Sequence, residues 1–130
     1  MRPELLPALV VAYLGDSVFE VYVREYLICE RGIMKPVELQ KEAIRYVSAM
    51  AQSSFMDYAI ENGQLSEEEI GIYKRGRNVK GRKPTNMSVT THNKSSGFET
   101  LIGHLYLKED KERLQEIFEL YKKYINEEDL

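Results

Sequence analysis

A chain of 130 residues, 43% hydrophobic and 30% charged, has the size and composition of one soluble globular domain spanning residues 1–130, which excludes wholesale disorder and leaves no room for a second independent core. A single cysteine, Cys29, excludes an internal disulfide and fits a reducing, cytoplasmic setting; no run approaches the ~20 apolar residues of a membrane helix, and Arg2-Pro3-Glu4 does not open a secretory leader. The net charge of −3 hides an asymmetry: Gly71 to Phe98 holds seven basic residues and no acid, while the rest of the chain holds 11 basic against 21 acidic residues, so one localised anion-binding surface is expected on an acidic body.

Leu6, Leu9, Val10, Tyr13, Leu14, Val18, Val21, Tyr22 and Leu27 recur at steps of three and four. This predicts a long first helix, buried on more than one side, that starts near Pro7 and ends at Gly32. A second helix is predicted from Pro36, with Val37, Leu39, Ala43, Ile44, Val47 and Met50 as its stripe. It is expected to break near Ser53 and Ser54 and to run on through Phe55, Met56 and Ala59 to Gly63. Ser66 with Glu69 forms a capping box, and Glu67 and Glu68 suit the dipole of the helix that follows. From Gly76 to Asn93 the glycines, Pro84, serines, threonines and asparagines predict a long loop, of a length that tends to be functional. Helix is expected again from Ser95 or Ser96 through Phe98, Leu101, Ile102, Leu105 and Tyr106, then in a last stripe of Leu114, Ile117, Phe118, Tyr121 and Ile125. The expected fold class is all-α.

Two acids stand out. Asp16 and Glu99 each lie in an apolar helical run, where burying a carboxylate is costly unless something pairs with it. Gly15 lies beside Asp16, and Gly97 and Gly103 flank Glu99. Small residues let helices approach, which would bring the two carboxylates together. Such a pair suits Mg²⁺, which keeps several waters and needs only one or two carboxylates, and which can activate water at a phosphate. Spacing alone leaves a second reading open, in which the two acids pair with basic residues such as Arg24 or Arg45. Glu20, one turn after Asp16, could assist, or could be a surface or dimer-contact acid. Neither His92 nor His104 falls in a metal-ligand pattern; His92 could contact a ligand, and His104, among apolar neighbours, reads as structural. Cys29 has no positive setting that would activate it.

The basic segment, about residues 74–94, offers Arg75, Arg77, Asn78, Lys80, Arg82, Lys83 and Lys94. Arginine forks, lysine point charges and glycines suit phosphate contact. The segment lacks the aromatic interleaving of a single-strand platform, so a duplex is the expected partner, held by shape and phosphates.

Ala12-Tyr13-Leu14-Gly15-Asp16-Ser17-Val18 resembles the signature helix of the ribonuclease III catalytic domain, and Gly97-Phe98-Glu99-Thr100-Leu101-Ile102-Gly103 resembles its second acidic helix. Between them, Tyr46-Val47-Ser48-Ala49-Met50-Ala51-Gln52 and Arg75-Gly76-Arg77-Asn78 look like the smaller Mini-ribonuclease III. The resemblance implies an all-helical endonuclease domain, without a double-stranded-RNA-binding domain, that works as a homodimer. It implies a Mg²⁺-dependent endoribonuclease that cuts double-stranded RNA, leaves 5′-phosphate and 3′-hydroxyl ends, and matures the ends of 23S ribosomal RNA. It makes Asp16 and Glu99 the catalytic and metal-binding residues. Ala12 and Ser96 stand where the larger enzyme has two further acids, and Thr85 and Ser88 stand where Lys and Asp are expected. Two other functions compete: a non-catalytic RNA-binding module on the same fold, and a helical dimer that makes protein contacts only. Mg²⁺-dependent cleavage and salt-dependent binding separate the three. The first helix, whose apolar surface exceeds what one small core can hide, is the expected dimer contact.

Overall fold

The computed structural model describes residues 1–79 and 88–128. Among the described residues a 3₁₀ turn, Pro3–Leu5, leads into six α-helices: α1 (Ala8–Glu25), α2 (Pro36–Val47), α3 (Ala49–Glu61), α4 (Glu67–Arg77), α5 (Val89–Leu107) and α6 (Lys111–Glu128). No strand occurs among the described residues, so the fold is all-α, as expected. Among the described residues no helix is long and apolar enough to cross a membrane.

The first helix starts after Pro7, as its apolar steps predict, but does not stay α-helical to its end. Tyr26–Glu30 forms a wider turn, in which the Arg31 N–H donates to the carbonyl five residues back, Tyr26, at 3.0 Å. Gly32, at φ +63°, then lets the chain leave the helix.

Three features differ from the sequence reading. The break in the second predicted helix falls at Ser48, not at Ser53 and Ser54. Ser48 has extended backbone and its hydroxyl accepts from the Ala51 N–H, which caps α3. Ser53 is instead buried inside α3. The predicted stripe of α2 holds in part: Leu39, Ala43 and Val47 pack against the core beside the buried Tyr46, whereas Val37 and Ile44 are largely exposed, as is Met50, which falls in α3. The third difference is the start of α5. Ser88 caps it by accepting from the Thr91 N–H, six or more residues before Ser95. The capping box at Ser66 and Glu69 is present in both directions, at 3.1 and 2.9 Å.

Helix α5 is the central element, packed by α1, α3 and α4. An aromatic cluster fills the space around it: Phe19 meets Phe98 edge-on with ring centroids 4.9 Å apart and Tyr121 at 4.8 Å, and Phe55 meets Tyr121 at 4.9 Å. The Tyr121 hydroxyl donates to the Tyr46 carbonyl, which ties α6 to α2. At the other end of α6, Arg113 forks onto the buried Glu69 at 2.7 and 2.9 Å and donates to the Gln64 carbonyl at 2.8 Å. These contacts fasten α6 across the start of α4, so the helices that flank α5 are fixed to each other as well as to it.

Candidate active site

The site begins with two glycines. A Cβ on Gly15 of α1 would stand 1.8 Å from the Glu99 carbonyl oxygen of α5, and one on Gly103 would stand 2.1 Å from the Val11 carbonyl oxygen. The two backbones therefore touch with no side chain between them. The Thr100 hydroxyl bridges the same contact, donating to the Ser96 carbonyl at 2.8 Å with the Ala8 carbonyl at 3.3 Å. On the opposite side Gly76 lets α4 approach Thr100, and Gly97 takes the ring of Tyr73. Close approach brings Asp16, the residue after Gly15, beside Glu99, as the flanking glycines predicted.

Asp16 is exposed and Glu99 is half-buried, so only one of the two carries the burial cost that the sequence suggested for both. Burial pushes the Glu99 carboxyl up to about 9; its hydrogen bond with Asp16, the Asp16 charge and, last, the Glu20 charge add to this. At neutral pH Glu99 therefore keeps its proton, in hydrogen-bond contact with Asp16. Arg24 sits on Glu20 at 3.4 Å and Arg45 on Glu42 at 2.6 Å. The reading in which those arginines neutralise Asp16 and Glu99 is not what the fold builds: the neighbour of Glu99 is another acid.

The pair opens into a cleft of about 310 Å³. Its polar lining is Asp16, Glu99, Ser96, His92 and Asn93; Leu9, Ala12, Tyr13 and Val79 complete the wall. Ala12 and Ser96 are thus in the cleft, and they leave it with two carboxylates. Among the described residues no group of three or more His, Cys, Asp or Glu side chains is placed to hold a metal. The sequence reading places His92 in a loop and passes over Asn93; the structure puts both on α5. Their signal was the spacing of His92, Ser96 and Glu99, steps of four and three along one helix face. His104, on the same helix, is buried, and burial lowers its pKa, in keeping with a structural part.

The basic residues are not on one loop. Arg75 and Arg77 lie on α4, whose carboxyl end reaches the cleft through Val79, and Lys94 lies on α5. Lys74 is exposed. Arg77 stacks on Tyr73, its guanidinium carbon 5.6 Å from the ring centre, and donates to the Asn78 side chain at 3.1 Å. Two residues named for phosphate contact have partners inside the protein. Arg75 donates to the Leu6 carbonyl, and Lys94 sits 3.0 Å from Asp57. Lys80, Arg82 and Lys83 lie outside the described residues.

Residues 9–110 match the Ribonuclease III domain. A Mini-ribonuclease 3 of Enterococcus faecalis is 43% identical over 123 residues, covering 94% of this chain and 92% of that protein. A Mini-ribonuclease 3 of Staphylococcus aureus is 39% identical over 125 residues, covering 95% and 92%. A crystal structure of a Fusobacterium nucleatum protein superposes with a TM-score of 0.80 at 28% identity, over 89% of this chain and 93% of that one.

Proposed function

The chain belongs to the ribonuclease III family of endoribonucleases, and from that premise we propose that it hydrolyses double-stranded RNA with Mg²⁺ held at Asp16 and Glu99. The observation that carries this reading is the Asp16–Glu99 pair itself. Two carboxylates meet at the head of a cleft, one of them keeps its proton at neutral pH, and among the described residues no Lys or Arg lines that cleft. The donor set fits a hard divalent cation that binds through one or two carboxylates and keeps its waters, for which the cleft has room.

Asp16 and Glu99 would hold the ion, which when bound supplies an activated water and stabilises charge on the phosphate under attack. The chain's own residues do the rest. The Gly15 contact sets the spacing of the carboxylates. Glu99 stores a proton on its carboxyl group in the ion-free site. Ala12 and Ser96 keep the floor of the cleft small and uncharged. Lys74 and Arg77, on the helix that ends at the cleft, suit the phosphates of a bound duplex, together with Asn78 and with Lys80, Arg82 and Lys83.

The same reading takes residues 1–130 as a single catalytic domain of a cytoplasmic homodimer that trims the ends of 23S ribosomal RNA precursors. What supports the dimer is the outer face of α1, where Val21 is 62% exposed and, with Leu14, Val18, Tyr22 and Tyr106, lines an apolar hollow of about 360 Å³. The test is cleavage of a long RNA duplex with Mg²⁺ or with a chelator, by wild type and Asp16→Asn. Cleavage that needs both Mg²⁺ and Asp16 is expected. Removing one preorganised charge at a reacting phosphate should slow the reaction by about 10²–10³-fold. A variant that cuts at the wild-type rate would remove Asp16 from the site.

A further inference from the structure

The cleft holds more than the acids. His92 and Asn93, at the start of α5, line it together with Asp16, Glu99 and Ser96. His92 is seven residues before Glu99 on the same helix, about 10 Å along its axis, so it stands at one end of the cleft and the carboxylate at the other. The imidazole is half-buried. Among the described residues it makes no hydrogen bond and no ion pair. Its neighbours on α5 are otherwise engaged: Thr91 with Ser88, Lys94 with Asp57 and Ser95 with Gln52.

A half-buried ring with a free N–H has given up part of its hydration and received no protein partner in return. The open side of that ring is the cleft, and, on the function proposed above, what occupies the cleft is an RNA strand rich in phosphate oxygens. We infer that His92, with Asn93 beside it, contacts the RNA backbone and fixes the strand along the cleft relative to Asp16 and Glu99. This rests on the nuclease reading. It adds a hydrogen-bonding contact at the far end of the cleft that neither the basic residues nor the acidic pair supplies. A contact of this kind grips ground state and transition state alike, so it acts on binding and on KM rather than on kcat.

The experiment compares wild type with His92→Phe, which keeps a ring and loses the N–H, and with His92→Gln, which restores a donor. Duplex affinity is measured in chelator, where no strand is cut, and KM and kcat are measured in Mg²⁺. The expected result for His92→Phe is a five- to tenfold rise in Kd and in KM, kcat within about twofold of wild type and an unchanged Tm; His92→Gln should recover most of the loss. Unchanged binding by His92→Phe overturns the inference. So does an equal loss in both variants with a fall in Tm, since that is a structural role. If wild type binds the duplex and never cuts it, the nuclease reading fails and the Kd comparison still decides His92. If wild type does not bind duplex RNA, both fail.

Discussion

Gly15 on α1 lies directly against the backbone of Glu99 on α5, so that a methyl group at Gly15 would overlap the Glu99 carbonyl at 1.8 Å. The contact is backbone on backbone, with no flexible side chain to move aside. Gly15→Ala must therefore push α1 off α5, and a loss of about 3 kcal/mol, at the upper end for overpacking, is expected in urea unfolding. Cleavage should fall with it, because Asp16 moves with α1. Gly71→Ala is the control. That glycine sits in α4 with nothing within 4 Å of the added carbon, so the same change should stabilise by about 0.5–1 kcal/mol.

Glu99 makes the ion-free protein weaker as pH rises. Unfolded, its carboxyl gives up a proton near 4.5; folded, it keeps the proton to about 9. The folded state binds more protons between those values, so stability declines from pH 4.5 to 9 by at most about 1.4 kcal/mol per pH unit for this group, and is level above. Glu99→Gln removes the dependence. Its Tm in chelator should exceed that of wild type by several degrees at pH 8, and the two should converge at pH 4.5.

A divalent cation should reverse that weakness. Mg²⁺ that binds the folded pair stabilises the protein in proportion to RT ln(1 + [Mg²⁺]/Kd), about 2.7 kcal/mol at a hundredfold excess over Kd. The gain should grow from pH 6 to pH 9 as the proton on Glu99 becomes easier to displace. Thermal melts at several Mg²⁺ concentrations check this; Asp16→Asn should show little shift.

Charge reversal on α4 should separate RNA contact from scaffold. Lys74→Glu with Arg77→Glu should weaken duplex binding about tenfold or more and lower the slope of log K against log salt by about two. Arg75→Ala should instead cost about 1–2 kcal/mol of stability, because it leaves the Leu6 carbonyl without its donor, and should not change the salt slope.

The outer face of α1 predicts self-association. Val21→Glu places a charge in its apolar hollow, where a 62%-exposed side chain stands, and should convert a dimer at micromolar concentration into a monomer, read by sedimentation velocity. An unchanged sedimentation coefficient would move the interface away from α1.

Local chemistry was legible where a residue acts on its own neighbourhood. The Ser66–Glu69 box needs only residues three apart, and it is found in both directions. The joining of Asp16 and Glu99 was legible because glycines flank both. The break at Ser48 was not, since three serines within seven residues carry the same capping ability and only burial of Ser53 decides among them. The start of α5 was hidden for a related reason. Val89-Thr90-Thr91-His92-Asn93 has poor helix propensity, and its helix is supported by the Ser88 cap and by contact with neighbouring helices. Arg75 looked like a phosphate ligand because a guanidinium gives no sign in sequence of whether a carbonyl 69 positions earlier will claim it.

The half-buried acid at Glu99 also tells an engineer where not to look. A library selected for survival of heat alone should accumulate neutral residues at this position and return robust proteins that no longer cut. Screens for a hardier enzyme have to score product, or leave α5 alone and work on exposed positions such as Gly71, where nothing stands within 4 Å of an added carbon.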